Sequence, residues 1–561
     1  MSQSAIKRKY IFVVGGVMSG VGKGVTTSSI AAILKARGFS VTAMKIDPYV
    51  NVDAGTMNPT EHGEVFVLED GYETDQDMGN YERFLNQSIP SDNYMTTGRV
   101  YQSVIQNERN LKYKGKCVQV VPHIPLEVID RIEHASRKAE ADITVIEVGG
   151  TVGEYENILF LEAARMLELR HPGDVAFVMV SYLPVPSMVG EMKTKPTQHA
   201  VRALNSTGIQ QDVLIARAGV PLDEVRKEKL ALFCNMPKAN VISAPDVESI
   251  YDVPLNFEKD HLSDILLKAL HIEDRALPTD LSDWKRFVSK TKKTDGVVKI
   301  AVVGKYFSTG DFVLSDAYLS VIEAIKYSAY YAGVKAELHW LSAEDFEGDV
   351  KTLSSLRDYD GVLVPGGFGG RGIEGKLAVI RYAREHKIPY FGLCYGMQLL
   401  VVEYARNVLG LKGANTTEID QKTLYPIIDI LPEQRELLKK QHFGGSMRLG
   451  AYPAHLKKGT IARSAYKTET IVERHRHRYE VNPDHVDALT KAGLVFSGTS
   501  PDGRLMEIAE LPKTEHPFFL GTQFHPEFLA RPLSPHPLFT EFMKSAKSRR
   551  EENAKTNELS A

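Results

Sequence analysis

Short β-rich apolar runs separated by longer helical patterns occur along most of this chain, and this alternation limits the possible folds more than any other feature. The runs lie at 10–14, 41–46, 142–148, 174–180, 212–216 and 240–243, and then at 298–304, 361–367, 388–394 and 518–524. Strands that alternate with helices usually form a parallel sheet covered by helices. The sequence therefore predicts an α/β protein with two doubly wound, mostly parallel sheets.

The same spacing predicts the domain boundaries. A chain of 561 residues is longer than one hydrophobic core usually organises. Strand signals fade near residue 270, and the polar stretch 277–297 contains proline and glycine, which is typical of a linker. We expect a first domain at 1–276, a second at 298–545 and a flexible tail at 546–561, where charges are dense and no apolar face occurs.

Composition excludes several kinds of partner. The net charge is −3, and 25% of the residues are charged, so nothing global indicates nucleic acid. No run approaches the ~20 apolar residues that a membrane span needs. The cysteines Cys117, Cys234 and Cys394 are too few and too scattered for a disulfide framework or a metal cluster. We expect small-molecule partners, no nucleic acid, no membrane and a cytoplasmic location.

The stretch "VVGGVMSGVGKG" (13–24) differs from the phosphate-binding pattern G-x-x-x-x-G-K-[ST], because Gly24 follows Lys23 where Ser or Thr is expected. That hydroxyl normally binds Mg²⁺, so carboxylates must replace it. The candidates are Asp77, in the acidic run 69–79, and Glu147, at the end of a buried strand. Acidic loops are more often solvated turns, but a carboxylate that ends so apolar a strand is costly unless it is paired or metal-bound.

A second motif, "FGLCYGMQ" (391–398), places Cys394 in G-x-C-x-G between a strand and a helix. This is the thiol form of a nucleophile elbow, and the positive end of the helix favours a thiolate. A small buried hydrophobe is the alternative interpretation. The glycine-rich turn 363–372 suits an oxyanion, and "QFHPEF" puts His525 and Glu527 on one face of a strand. Together these residues predict a nucleophile, a base and an orienting carboxylate for acyl transfer.

On these motifs, residues 298–545 resemble class I glutamine amidotransferases. The resemblance implies that Cys394 forms a glutamyl thioester, His525 moves the proton and Glu527 orients His525. It implies oxyanion and glutamine contacts at Gly367, Tyr395, Gly396, Met397, Gln398, Glu418 and Arg478. A zwitterionic amino acid needs one carboxylate and one guanidinium, which fits the last two. Arg478 lies in "ERHRHRYE" (473–480), a run more typical of a solvated face or an anion patch, and His475 and His477 stay unassigned.

Four longer motifs extend the resemblance to nearly the whole chain. They are "GGVMSGVGKG", "KIDPYVNVDAGTMNPTEHGEVFVLEDGYETDQDMG", "IEVGGTVGEYE" and "GEMKTKPTQHAVRAL", in that order. With the amidotransferase motifs they resemble the CTP synthase family. The resemblance implies that ATP phosphorylates O4 of UTP and that ammonia from L-glutamine, channelled between domains, attacks C4 and expels phosphate. It also implies Mg²⁺, GTP as an allosteric activator, CTP as a product inhibitor, and a homotetramer that can form filaments.

The same resemblance assigns nucleotide contacts. It implies ATP contacts at Gly20, Val21, Gly22, Lys23, Gly24, Val25, Lys45, Asp77, Pro245, Asp246 and Val247. It implies UTP or CTP contacts at Ser19, Glu154, Tyr155, Glu156, Lys193, Thr194, Lys195, Pro196, Thr197, Gln198 and Lys229. It places Mg²⁺ at Asp77 and Glu147 and ties His62 to nucleotide-triggered coupling. A surface basic turn is the alternative for 193–198, and a structural role is the alternative for His62. Position 154 is often Asp in the family, so the strength of product inhibition can differ.

Two other functions are compatible with parts of the pattern. A glutamine-dependent ligase that amidates a carboxylate would have the same two domain types, but segments 53–65 and 193–198 argue against it. A structural or filament-forming ATPase would carry a degenerate amidotransferase domain, whereas Cys394, His525 and Glu527 are all present.

Overall fold

The architecture comes from a computed structural model of the chain. It describes residues 7–188, 190–305, 308–309, 312–313, 315–348, 350–367, 369–430 and 447–560. Residue 368 of the predicted glycine-rich turn and residue 561 of the predicted tail lie outside the described residues. None of the helices in these ranges is both long enough and apolar enough to cross a membrane.

The strands, in chain order, are β1 (Lys9–Gly16), β2 (Val41–Asp47), β3 (Phe66–Val67), β4 (Glu73–Thr74), β5 (Tyr94–Thr96), β6 (Ile143–Val148), β7 (Val175–Tyr182), β8 (Val213–Ala218), β9 (Val241–Pro245), β10 (Val297–Gly304), β11 (Ser308–Thr309), β12 (Phe312–Val313), β13 (Lys335–Ser342), β14 (Gly361–Val364), β15 (Tyr390–Leu393), β16 (Asn415–Thr416), β17 (Pro426–Ile430), β18 (Arg448–Leu456), β19 (Thr470–His477), β20 (Tyr479–Val481), β21 (Val495–Thr499), β22 (Met506–Glu510) and β23 (Phe519–Thr522).

The α-helices are α1 (Lys23–Ala36), α2 (Pro59–His62), α3 (Gln76–Leu85), α4 (Thr97–Arg109), α5 (Val120–Lys138), α6 (Ile158–Arg170), α7 (Lys195–Ser206), α8 (Glu224–Phe233), α9 (Val253–Lys259), α10 (Leu262–Ala269), α11 (Ser282–Lys292), α12 (Leu319–Tyr331), α13 (Val350–Ser354), α14 (Ile373–Glu385), α15 (Tyr395–Asn407), α16 (Ile461–Tyr466), α17 (Pro483–Lys491) and α18 (Pro537–Ser560).

The described residues form two compact units, and unit 1 consists of those in 1–56 and 77–288. Its seven-stranded sheet has the order β5-β2-β6-β1-β7-β8-β9, and every pairing is parallel. All eight residues of β1 are buried, as expected for a strand covered on both faces. In register, Glu147 of β6 lies beside Val13 of β1 and Lys45 of β2. Parallel pairing thus brings the ends of three strands to one edge, next to the glycine-rich loop.

Unit 2 consists of the described residues in 57–76 and 289–561 and is built on a nine-stranded sheet. The order is β13-β10-β14-β15-β23-β22-β21-β18-β19. The pairings from β13 to β23 are parallel, and those from β23 to β19 are antiparallel. The predicted α/β class is confirmed, and the second sheet is mixed because an antiparallel half extends its parallel half.

The segment 57–76, which the sequence analysis placed in the first domain, belongs to unit 2. Its hairpin of β3 and β4 packs against β19, where a guanidinium N–H of Arg474 donates to the Val67 carbonyl at 3.1 Å. The Phe66 ring lies edge-on to Phe528, with 5.1 Å between the ring centroids. Gly450, at φ +89°, has no room for a Cβ, which would lie 2.5 Å from the backbone nitrogen of Gly71. These are long-range contacts, so local sequence patterns do not reveal them.

The stretches expected to be a linker and a tail contain helices. Helix α11 begins at Ser282 within the predicted linker, and Trp284 and Phe287 are buried. The indole N–H of Trp284 donates to the Tyr251 carbonyl at 2.8 Å, which ties this helix to unit 1. Helix α18 continues to Ser560 through the segment predicted as a tail.

Candidate functional site

Cys394 occupies a sharp turn between β15 and α15 in unit 2. Its backbone is at φ 50° and ψ −97°, and its N–H donates to the Thr522 carbonyl at 2.6 Å. A Cβ at Gly392 would lie 2.6 Å from the carbonyl carbon of Gly396, and one at Gly396 would lie 2.3 Å from the Val364 oxygen. Neither position has room for a side chain, so both glycines of G-x-C-x-G are packing requirements of this elbow.

The structure brings His525 and Glu527 together with Cys394. His525 Nδ1 and Glu527 Oε1 are 2.7 Å apart, and both side chains are buried. Burial alone would lower the pKa of His525, but the charges of Glu527 and Cys394 outweigh it and raise the pKa to about 10. The thiol and Nε2 do not make an aligned hydrogen bond in this structure, which is common for catalytic pairs without substrate. The arrangement favours the imidazolium form of His525.

A glycine turn lies beside the thiol and the imidazole. At Gly366 a Cβ would lie 2.9 Å from His525 Cε1 and 3.8 Å from Cys394 Cβ. Gly366, which was not among the predicted site residues, is therefore the glycine that the packing requires. At Gly367, the predicted oxyanion residue, a Cβ would lie more than 4 Å from every non-adjacent residue that the structure describes.

The predicted glutamine contacts surround the same turn. Glu418 Oε1 accepts a hydrogen bond from the Gly369 N–H at 2.8 Å, and the Tyr395 hydroxyl donates to the Gly369 carbonyl at 3.3 Å. Burial raises the pKa of Glu418, and the Gly369 N–H, then the charge of Lys305 and last that of Arg478, oppose that rise. Gly396, Met397 and Gln398 continue α15 and are buried. One carboxylate and one guanidinium thus lie near each other, as an amino-acid ligand requires.

The run 473–480 forms most of β19, and the solvated-face interpretation is wrong for its first half. Arg474 and His475 are completely buried, and Glu473 is 3% exposed. Burial and the neighbouring charge of His477 hold the pKa of His475 well below its usual range, so this ring is neutral. Charged residues obscure the apolar alternation that would otherwise predict a buried strand.

In unit 1, the loop that precedes α1 explains why Gly24 replaces a hydroxyl residue. A Cβ at Gly24 would lie 2.2 Å from Asp77 Oδ1, so the carboxylate occupies the space that Ser or Thr would need. Gly20 and Gly22 adopt φ +70° and +91°, which favour glycine. Lys23 begins α1, and its Nζ donates to the Gly150 carbonyl at 2.8 Å. Val21 is buried beside them.

Lys45 lies among three carboxylates at the edge of the sheet. Its Nζ contacts Asp77, lies 3.0 Å from Glu147 Oε1 and lies 3.5 Å from Asp47 Oδ1. Burial, then the charge of Asp77, raises the pKa of Glu147. Burial would also raise the pKa of Asp77, but Lys45 holds it below its usual range. Asp47 was not among the predicted site residues, although Asp47 ends β2 much as Glu147 nearly ends β6.

The arrangement of these carboxylates fits a magnesium ion that is held jointly with phosphates. Within the described part of the chain, no three His, Cys, Asp or Glu side chains form a ready-made metal site. Asp47, Asp77 and Glu147 nevertheless outnumber the nearby ammonium groups of Lys23 and Lys45, and burial penalises their charge. Mg²⁺ is usually bound by one or two carboxylates together with substrate phosphates.

A cavity of ≈ 180 Å³ lies beside the loop. Gly22, Val25 and the predicted adenine segment Pro245, Asp246 and Val247 line it. Arg217, which the sequence analysis missed, also lines this cavity and donates to Asp246 Oδ1 at 2.9 Å. In the sequence, Arg217 could have been recognised as a candidate because it is an arginine near the end of an apolar strand.

More than half of the predicted UTP and CTP residues are exposed. Ser19, Glu154, Tyr155, Glu156, Lys195 and Lys229 are exposed, Lys193 and Pro196 are partly exposed, and Thr194, Thr197 and Gln198 are buried. Glu154 accepts a hydrogen bond from the Thr151 N–H at 2.8 Å, and Gln198 donates to Thr194 at 3.2 Å. His62 ends α2 and is exposed. Nucleotide binding by these residues stays a prediction.

Two family models match separate parts of this chain. Residues 9–272 match the family model for the CTP synthase N-terminus, and residues 313–545 match that for class-I glutamine amidotransferase. A CTP synthase from Thermococcus gammatolerans is 52% identical over 97% of this chain and 99% of its own length. One from Halalkalibacterium halodurans is 48% identical over 96% and 99%. The solved glutaminase domain of Trypanosoma brucei CTPS with bound acivicin is 36% identical, covers 45% of this chain and 94% of that chain, and has a TM-score of 0.41.

Proposed function

This chain belongs to the CTP synthase family, and we propose that its two units divide the amination of UTP between them. The overall reaction uses ATP and L-glutamine to convert UTP into CTP. In the proposed division, unit 2 releases ammonia from glutamine at Cys394, and unit 1 activates UTP with ATP. The observation that carries the proposal is the buried His525–Glu527 pair beside Cys394, at an elbow that only glycines permit.

The glutaminase step follows from the charges around Cys394. Its thiolate attacks the side-chain carbonyl carbon of glutamine, and a C–S bond forms. We propose that backbone N–H groups of the turn at Gly366 and Gly367 stabilise the oxyanion. The His525 imidazolium then gives its proton to the departing nitrogen, so ammonia leaves as the C–N bond breaks. Water hydrolyses the thioester with His525 as base, and glutamate is released with the thiolate restored.

Glu418 and Arg478 are proposed to hold the α-amino and α-carboxylate groups of glutamine. A charge-assisted hydrogen bond to each end fixes the substrate and orients its amide toward Cys394. In this structure the carboxylate of Glu418 accepts from the Gly369 N–H, so it already points toward the glycine turn.

In unit 1, Lys23 and Lys45 are proposed to bind the ATP phosphates, and the cavity lined by 245–247 is proposed to receive the adenine. Phosphoryl transfer depends mainly on positioning and charge neutralisation, which two buried ammonium groups supply. The O4 atom of UTP attacks the γ-phosphorus and ADP leaves. Ammonia then attacks C4, the C4–O bond breaks with release of phosphate, and the nitrogen loses a proton to give CTP. Asp77 and Glu147 would hold Mg²⁺, which would supply positive charge to offset the negative charge of the phosphates.

Family membership alone supports the remaining proposals. We infer that GTP activates the glutaminase, that CTP inhibits through the segments 154–156 and 193–198, and that the enzyme is a homotetramer whose nucleotide site is built from several subunits. A cytoplasmic location is in keeping with three cysteines that are all unpaired.

The test compares two nitrogen sources. Wild type and Cys394→Ala are supplied with UTP, ATP and Mg²⁺, together with either glutamine or ammonium, and CTP formation is followed. The variant should use ammonium within about twofold of wild type and should lose at least ~10³-fold with glutamine. Equal loss with both sources would refute the division of labour. Glutamine hydrolysis by wild type without any CTP would refute UTP as the acceptor.

A further inference from the structure

The Cys394 sulfur has a neighbour that neither the triad nor the predicted glutamine contacts include. Gln523 directly follows β23, two residues before His525, and its side chain is completely buried. Its amide nitrogen, Nε2, lies 3.8 Å from Cys394 Sγ, within hydrogen-bonding range for sulfur. Its backbone N–H donates to the Glu507 carbonyl at 2.8 Å, which fixes the residue against β22.

Gln398 determines which end of the Gln523 amide faces the sulfur. The two ends of a glutamine amide must be assigned from the hydrogen-bond network. The Tyr479 carbonyl can only accept, and it lies 2.9 Å from Gln398 Nε2, so the NH₂ group of Gln398 points that way. The same NH₂ group donates to Gln523 Oε1 at 3.4 Å. The oxygen of Gln523 is thus turned toward Gln398, and its NH₂ group toward Cys394.

We propose that Gln523 is a further catalytic residue of the glutaminase reaction and that its amide N–H stabilises the Cys394 thiolate, while Gln398 positions that amide. This inference rests on the proposed function of Cys394 as the nucleophile. An N–H donor gains most when its acceptor carries a full negative charge, so the contact favours the thiolate over the thiol. The Arg476 carbonyl oxygen also lies 3.8 Å from Sγ. Because a carbonyl can only accept a hydrogen bond, this contact favours the protonated thiol.

The contact acts at two points of the reaction. Before attack, the thiol proton moves to His525 and negative charge develops on Sγ, where the Gln523 N–H donates to it. Sulfur in the thioester carries little charge, so this hydrogen bond weakens. When water attacks the thioester and the C–S bond breaks, charge returns to Sγ and the same N–H stabilises the leaving thiolate. Loss of the donor should therefore slow both formation and hydrolysis of the thioester.

Two substitutions separate donation from packing. Gln523→Met keeps approximately the same volume without a donor. Gln523→Glu keeps the shape and can still accept from Gln398, but its carboxylate presents no N–H to the sulfur once ionised. Thr522→Val is the matched control, because its buried side chain is next to Gln523 and its hydroxyl donates to the Phe524 carbonyl rather than to Cys394.

The measurement is the rate of Cys394 alkylation by iodoacetamide between pH 5 and 9, followed on the peptide that contains this residue by mass spectrometry. For both Gln523 variants, the midpoint of the rate against pH should rise by about one unit. The alkylation rate at pH values below that midpoint should fall about tenfold, and so should the glutamine-dependent kcat. Thr522→Val should match wild type, and CTP formation with ammonium should stay within twofold for all three variants.

The outcomes distinguish the inference from the function on which it rests. A wild-type alkylation profile in Gln523→Glu would overturn the inference, even if Gln523→Met is poorly folded. An ionised Glu keeps the packing, presents no N–H and adds a negative charge, and the last two changes both disfavour the thiolate. If alkylation of Cys394 in wild type leaves glutamine-dependent CTP formation intact, the proposed role of Cys394 is wrong. If alkylation stops only the glutamine-dependent reaction and both variants behave like wild type, only the role of Gln523 is wrong.

Discussion

Replacing Glu527 with Gln should disable glutamine use while leaving ammonium use intact. The substitution keeps the shape of the side chain but removes the charge that lies 2.7 Å from His525 Nδ1. Without that charge, burial dominates and the pKa of His525 falls below its value of about 10. The imidazolium that the thiolate requires then becomes scarce at neutral pH.

The magnitude follows from two effects. A charge-assisted hydrogen bond contributes roughly 1.5–3 kcal/mol, which corresponds to about 10- to 150-fold in the imidazolium population. An amide also donates to Nδ1 and leaves the ring proton on Nε2, where it blocks transfer from Cys394. The comparable change in serine triads costs about 10⁴-fold. We therefore expect glutamine-dependent kcat to fall about 10²- to 10⁴-fold.

The assay is CTP formation with glutamine between pH 7 and 10.5, with ammonium as the reference nitrogen source. A raised pKa keeps His525 charged until the pH rises through about 10, so wild-type activity should decline only there. The variant should decline at lower pH. Glu473→Gln is the matched control, because Glu473 Oε1 is also buried against a histidine, 3.0 Å from His536 Nε2. Retention of more than a tenth of the wild-type rate by Glu527→Gln would refute the role of this carboxylate.

Three further predictions concern single buried charges. Glu147→Gln should lower the rate of CTP formation with ammonium by at least ~10²-fold while glutamine hydrolysis persists. If the variant forms CTP from ammonium at a rate near that of wild type, Glu147 is not a ligand for Mg²⁺. Burial, with a smaller effect of a neighbouring lysine, lowers the pKa of Lys376 to about 7, so Lys376→Met should raise the free energy of unfolding at pH 7 by about 1–3 kcal/mol. In the unfolded state the Lys376 ammonium keeps its proton up to about pH 10.5, so the stability gained by Lys376→Met should shrink as the pH rises from 7 toward 10. A stability gain that does not change with pH would contradict this prediction. The Glu64 carboxylate accepts a hydrogen bond from the Ser320 N–H at 3.1 Å, near the start of α12. Glu64→Ala should therefore lower the free energy of unfolding of unit 2 by about 2 kcal/mol and lower its melting temperature. Substitution of the exposed Glu61 with Ala should leave the melting temperature unchanged, and equal effects of the two substitutions would exclude a capping role for Glu64.

Predictions from local patterns held where burial is uniform. The apolar runs at 10–14 and 298–304 are confirmed as strands. Both faces of the first are covered, which makes it continuously apolar, whereas the second is buried without interruption only from residue 300 onward, after the exposed Lys299. The antiparallel strands β18 and β19 were missed. Their buried residues include Arg474, His475 and Glu473, whose charges remove the apolar alternation on which such predictions depend.

The glycine motifs were recognised, but their reasons were not visible in the sequence. The sequence showed that Gly24 stands where a hydroxyl is expected and that carboxylates must compensate. Only the folded chain shows that Asp77 fills the space of a Cβ at Gly24. In the same way, the sequence identified Cys394, His525 and Glu527 by their motifs, whereas Gln523 gains its role from a hydrogen-bond chain through Gln398.

The sequence alone determined the α/β class and predicted two candidate sites with most of their residue types, because strand periodicity and glycine turns are local properties. The tertiary structure decided which distant groups meet. It placed the hairpin around 66–74 in unit 2, gathered three carboxylates around Lys45, and oriented an amide toward Cys394. Contacts of this kind depend on strand order and side-chain packing across hundreds of residues, and no local spacing encodes them.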